Sequence, residues 1–125
     1  MENNLYKHEG YKFMAAVFEV YNELGGGLLE EIYQQALEIE LKLRSIPFEA
    51  KKQLEVYYKS RKLEKVYIPD LYVFNGIMVE LKSVKKLVPE HEAQLFNYMK
   101  LTKTNVGYLL NFGSHDNVEW KRYII

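Results

Sequence analysis

Apolar residues recur at three- and four-residue spacing over about residues 8–24, 28–44 and 89–102 of the chain, which predicts three amphipathic helices. Shorter runs rich in β-branched and aromatic residues, at about 52–59, 62–74, 76–83, 106–112 and 117–124, predict strands. Gly25-Gly26-Gly27 separates the first two helices. It is not a nucleotide-binding loop, because no strand precedes it and no Lys-Ser or Lys-Thr follows. Asn75-Gly76 marks a tight turn that would pair the strands on either side. Pro89 can open the third helix as its first residue, where its missing N–H costs nothing. Helices and strands interleaved in this way predict a single α/β (α+β mixed) domain over residues 1–125, with no linker or repeat.

Two helix faces carry more than packing. On the second helix Glu30 falls beside Tyr33, Leu37 and Leu41, whereas Glu31 joins Gln35, Glu38 and Lys42 on the wet side. One carboxylate therefore leans inward. Glu40 also lies within the apolar arc, so an edge position with a snorkelling head explains Glu30 equally well. On the third helix His91, Gln94, Tyr98 and Leu101 form one stripe, which lines up polar groups able to meet a phosphate or a metal-bound water. A plain amphipathic border has the same pattern.

Pro69-Asp70, followed ten positions after the Asp by Glu80-Leu81-Lys82, places two carboxylates and an ammonium on adjoining strands. A hard cation such as Mg takes oxygen ligands and is usually held by one or two carboxylates together with substrate phosphate. Asp70 and Glu80 are candidate ligands, with Glu30 and the Leu81 carbonyl beside them, and Lys82 is a candidate for orienting water and meeting anionic charge. Side chains alternate along a strand, so Glu80 and Lys82 share a face and Leu81 enters the opposite layer. Taken alone, the same letters also fit a strand irregularity at Pro69-Asp70 and a solvated face at Glu80 and Lys82.

Composition narrows the classes. The chain has no Cys, which removes disulfides, thiolate nucleophiles and Cys-based zinc sites. Its 125 residues, 48% hydrophobic, suit one core. The run at residues 13–18 is among the longest apolar ones, far short of a membrane span, and no signal-peptide pattern opens the chain, so a cytoplasmic protein without membrane contact is expected. Net charge is zero but uneven. Two Lys face eight Glu in residues 1–41, and eight Lys and Arg face three Glu in residues 42–65. That basic block reads as a hairpin whose turn, Lys59-Ser60-Arg61-Lys62, supplies candidate phosphate contacts in Lys59, Arg61 and Lys62, although a charge run at a turn also serves solvation. Ser114-His115-Asp116 holds the letters of a hydrolase triad, but three consecutive residues cannot set base against nucleophile, and a loop is expected. The three His residues are too far apart for a His-based zinc site.

In this order, an acidic helix, strands bearing Asp and Glu-x-Lys, then a Gln-x-x-x-Tyr helix, the chain resembles the PD-(D/E)XK nuclease superfamily. Within it the chain is similar to the small family named for a GxxExxY motif, here Gly27, Glu30 and Tyr33. The resemblance covers about residues 10–122. It implies a restriction-endonuclease-like core, a central mixed sheet flanked by helices in αβββαβ order, with the site at the sheet's rim. It implies that Glu30, Asp70 and Glu80 gather around Mg, with Mn as a substitute. It also implies that Lys82 acts as base or water-positioning group, and that Gln94, Tyr98, His91 and Tyr33 support the site. The expected activity is metal-dependent hydrolysis of phosphodiester bonds, most simply by an endonuclease on DNA, with a homodimer needed to cut both strands. The alternative is a nuclease-fold module that binds nucleic acid or a protein partner without cleaving.

Overall fold

A computed structural model describes residues 5–125. The described elements run α1 (Lys7–Leu24), α2 (Glu30–Leu43), β1 (Phe48–Ala50), β2 (Leu54–Tyr58), β3 (Arg61–Tyr67), β4 (Leu71–Val73), β5 (Ile77–Lys82), α3 (Pro89–Thr102), β6 (Val106–Asn111) and β7 (Glu119–Ile124). The three helices keep nearly the bounds that apolar periodicity predicts. α1 stops where Gly25 takes a left-handed φ of 74° and donates its N–H to the Tyr21 carbonyl, a conformation in which glycine carries no Cβ penalty.

The strands depart from expectation in one informative way. The stretch 62–74, read as one strand, is two strands in two different sheets. β3 pairs with β2 as a separate antiparallel ribbon, and β4 joins a five-stranded sheet of order β1-β4-β5-β6-β7. The break falls at Pro69, which has no N–H to give a ladder and so interrupts a strand. β1, too short to leave a periodic signal, pairs with β4. The Asn75-Gly76 turn exists, but its two left-handed residues are Phe74 (φ 51°) and Asn75 (φ 55°), one position earlier than an Asn-Gly frame would set them. Gly76 is needed for another reason: a Cβ there would collide with the Tyr6 hydroxyl.

Only β5 and β6 run parallel within the sheet, six residues in register from Ile77↔Val106 to Lys82↔Asn111, joined by the α3 crossover. Side-chain alternation then builds two cores. Ile77, Val79 and Leu81 pack with Phe13, Val17, Tyr33 and Leu37 of α1 and α2. Met78 packs on the other face with Leu95 and Met99 of α3. The β2-β3 ribbon adds to that second layer through Tyr67, stacked on Tyr98 at 3.7 Å between centroids. The expected central mixed sheet flanked by helices is present, with the ribbon and β7 added to it. Among the described residues no helix is long and apolar enough to cross a membrane.

Where the parallel pair ends, Asn111 locks the chain. Its side chain is fully buried, and its Oδ1 accepts from the backbone of Val84 and Gly113, each at 2.9 Å. Its Nδ2 donates to the Val84 carbonyl at 2.9 Å and to Glu119 at 2.8 Å. All four bonding positions of the amide are used, and three segments meet on one residue. Asn111→Leu strands these partners without a substitute. We expect a loss of about 3 kcal/mol or more, since each orphaned buried group costs about 1–3 kcal/mol. Thermal denaturation of the purified variant checks this, and its melting midpoint should fall by roughly 10 °C.

Candidate active site

Continuing the register of Leu71↔Val79 and Tyr72↔Met78 sets Asp70 opposite Glu80 and Pro69 opposite Leu81. Here the ladder is replaced by side chains. The Leu81 N–H donates to Asp70 Oδ2 at 2.8 Å, where a continuing strand would offer the carbonyl of residue 69. The Asp70 N–H donates to Glu80 Oε1 at 3.1 Å. Residues of a hydrogen-bonded antiparallel pair exchange two bonds. Pro69 cannot supply the second, so the Leu81 carbonyl receives no ladder donor from that position.

A second layer of contacts fixes Asp70. Lys51, in left-handed conformation (φ 55°) just past β1, sets its Nζ 2.8 Å from Asp70 Oδ1. The Lys51 N–H also donates to the Asp70 carbonyl at 3.3 Å. From α2, Gln34 Nε2 donates to that same carbonyl at 3.0 Å and to Glu38 at 2.8 Å. Glu38 is therefore half-buried and bonded, where helical periodicity set it on the wet side. Neither Lys51 nor Gln34 stands out in the sequence. Gln34 carries one retrievable signal, its i, i+4 spacing from Glu30 and to Glu38. Lys51 carries none, because only the β1-β4 pairing brings it to Asp70.

Charge and burial compete here. Burial pushes the Glu80 carboxyl up from its ordinary 4.5 to about 7, against the Asp70 N–H and the Lys82 and Lys51 charges, which pull it down. Glu30 is exposed as a residue, yet desolvation of its carboxyl and the Asp70 charge raise its pKa, with Lys82 and Lys51 opposing. Burial works to lower the Lys51 pKa, but the bond and charge of Asp70 outweigh it and leave it raised. Lys82 is half-buried and forms no ion pair among the described residues.

Asp70, Glu80, Lys82, the Leu81 backbone and Glu30 thus lie around one another at the sheet's rim. Among the described residues no three His, Asp or Glu groups converge closely enough to form a ready-made metal cage. The chemistry of the donor set nonetheless suits a hard cation: carboxylate oxygens with a carbonyl that lacks a ladder partner. Lys51 holds one oxygen that such an ion would take.

The remaining candidates make other contacts. The Tyr33 hydroxyl accepts from the Leu28 N–H at 3.1 Å and donates to the Gly25 carbonyl at 2.6 Å, while its ring stacks on Phe112 at 4.5 Å. It clamps the glycine loop ahead of Glu30. The Ser83 hydroxyl donates to the Leu28 carbonyl and ties that loop to the end of β5. His91 Nδ1 accepts from the Val88 N–H at 3.2 Å and caps the start of α3. Gln94 is exposed, and Tyr98 stacks on Tyr67. The buried stripe of α3 is Leu95 and Met99, one position round from the His91, Gln94, Tyr98 and Leu101 stripe. Ser114, His115 and Asp116 form the expected loop between β6 and β7. Lys59 sits in the β2-β3 turn, with Arg61 and Lys62 already inside β3.

A family model for the PD-(D/E)XK nuclease superfamily matches residues 7–123. Comparison with curated proteins finds no match. Among solved structures, the crystal structure of SSO0001 superposes with a TM-score of 0.58 at 20% identity. It covers 95% of this chain, and the chain spans 59% of its length. That likeness concerns the fold.

The Glu80 shift has a definite sign. The fold retains this proton more tightly than the unfolded chain does, so the associated stability is complete below about pH 4.5 and is lost as pH rises through about 7. In chelator, the melting midpoint should fall between about pH 5 and about pH 8, and Glu80→Gln should flatten that part of the profile. Denaturation scans in a buffer series measure both. A wild-type profile indistinguishable from that of the variant would contradict the shift.

Proposed function

The chain belongs to the PD-(D/E)XK nuclease superfamily, and from that premise we propose that it is a metal-dependent nuclease, most simply an endonuclease on DNA. The observation that supports this reading is the exchange at the broken ladder, where Asp70 and Glu80 bond to each other's strands and the Leu81 carbonyl is left without a partner from Pro69. Asp70, Glu80 and the Leu81 carbonyl, with Glu30 beside them, would hold Mg, or Mn in its place, whose charge would lower the pKa of a bound water and offset charge on the phosphate. Lys82 would position the attacking water and meet the anionic transition state. Glu80, about half ionised near neutral pH at a pKa of about 7, becomes fully anionic when a cation takes its proton's place.

Lys51 holds Asp70 in position until that oxygen is needed as a ligand. The same ion pair is what favours a second reading, a nuclease-fold module that binds nucleic acid or a protein without cutting. Gly27, Glu30 and Tyr33 fit the GxxExxY family in particular, with Tyr33 holding the loop from which Glu30 projects. One site per chain nicks one strand, so cutting both would take a homodimer.

Cleavage of a panel of nucleic acids in Mg and in Mn tests the proposal. Asp70→Ala should abolish divalent-ion binding in calorimetry. Lys82→Ala should keep the fold and most metal binding but lose about 100- to 1000-fold in cleavage rate, the usual loss for a group that acts on transition-state charge. Unchanged metal affinity in the first variant, or a near wild-type rate in the second, would remove that residue from its role. Metal binding without cleavage of any nucleic acid would favour the binding module.

A further inference from the structure

The turn of the β2-β3 ribbon and the C-terminal end of α3 enclose a cleft of about 610 Å³, lined by Tyr57, Lys59, Ser60, Asn97, Lys100 and Lys103 among others. Three ammonium groups from two elements border one space. Among the described residues none of the three forms an ion pair. Each instead stands over an aromatic ring, Lys103 over Tyr57 at 4.8 Å, Lys100 over Phe96 at 5.3 Å and Lys59 over Tyr58 at 5.6 Å, which steadies a cation without neutralising it. The acid of the ribbon nearest in sequence, Glu55, is occupied by Lys62 at 3.0 Å and by the Tyr57 hydroxyl at 2.6 Å.

The backbone is a separate observation. Lys59 (φ 48°), Ser60 (φ 64°) and Lys103 (φ 59°) are all left-handed, a conformation costly for residues other than Gly, Asn and Asp. A two-residue hairpin loop of this kind favours Asn-Gly. Lys-Ser stands there against local preference, and so does a Lys closing α3. Strain held at a place that also gathers unneutralised charge points to a ligand.

We propose that this cleft grips a backbone phosphate of a nucleic-acid strand away from the scissile bond. The proposal rests on the nuclease reading above and names how the substrate is held. β3 separates the turn from the Pro69-Asp70 break, and its seven residues span about 20 Å at strand rise. At roughly 3.4 Å of duplex axis per phosphate of one strand, a separation of about 20 Å corresponds to about six base pairs. Of the contacts read from the sequence, Lys59 belongs to this cleft, while Lys62 is engaged by Glu55, and Lys100 and Lys103 of another element take its place.

The test is binding of fluorescent oligonucleotides in chelator, so that no cutting occurs, followed against salt. Two double variants are compared with wild type: Lys59→Asn with Ser60→Gly, and Lys100→Gln with Lys103→Asn. Each lysine removed should lower the slope of log affinity against log salt by about 0.7 to 0.9. The turn variant should also melt at a higher temperature while binding more weakly, a combination that a purely structural turn would not produce. Unchanged affinity and slope in both variants would overturn the cleft and leave the nuclease reading in place if wild type still cuts. A lysine-dependent slope in a protein that never cuts would uphold the cleft and overturn the nuclease reading. Full displacement of the strand by inorganic phosphate at matching phosphate concentration would assign the cleft to a small anion and overturn the proposal.

Discussion

A missing N–H organises one end of this molecule. Pro69 stands between the end of β3 and the start of β4, where the chain passes from the ribbon into the central sheet, and it has no N–H to give to the ladder with β5. Opposite the break the Leu81 carbonyl loses the donor that residue 69 would otherwise supply, and the Leu81 N–H bonds a carboxylate oxygen of Asp70 in place of a backbone carbonyl. That bond fixes the Asp70 side chain relative to β5 and therefore relative to Glu80 and Lys82. The exchange of bonds between Asp70 and β5 takes the place of the ladder that stops at this imino acid.

Gathering acids at such a rim is costly unless cations balance them, and the balance is divided between two lysines. Lys51, more than half exposed, is bonded directly to Asp70. Lys82, half-buried, acts on Glu80 and Glu30 through space. The two are not equivalent. The Lys51 ammonium reaches solvent, whereas its Asp70 partner is mostly covered. The Lys82 ammonium projects from β5 beside the break in the ladder and forms no ion pair among the described residues. The arrangement therefore has one positive charge bonded to Asp70 from the solvent side and one beside Glu80 that acts through space.

Much of this was legible from the sequence where the cause is local. Helix bounds follow from periodicity, and the E-x-K face follows from strand alternation, which indeed sends Leu81 into the α1-α2 core. What escaped depends on contacts between distant residues. Nothing near Lys51 announces that a three-residue strand will carry it to Asp70, nineteen positions on. Gln34 does not stand out in the sequence, and only the fold brings it to the Asp70 carbonyl. On α3 the buried residues Leu95 and Met99 lie one position round from the stripe of His91, Gln94, Tyr98 and Leu101, and two buried positions in fourteen leave a weak periodic signal. Pro69 was visible, but its effect on the ladder required the register.

The two ends of the β2-β3 ribbon carry opposite chemistry for a physical reason. At the Pro69 end, backbone carbonyls and carboxylates accumulate because a ladder stops there, which creates an oxygen-rich, electronegative rim. At the turn end, two left-handed residues and the close of α3 splay side chains into solvent, where long ammonium stems extend over aromatic rings without being buried. A polyanion is repelled by the first surface unless a cation intervenes and is attracted by the second without one. Binding and bond cleavage would then depend on different ions: the first on lysines and the salt they displace, the second on the divalent ion. On the proposed reading, a protein of zero net charge would hold nucleic acid in this way because the field that matters is that of a cleft rather than of the whole chain.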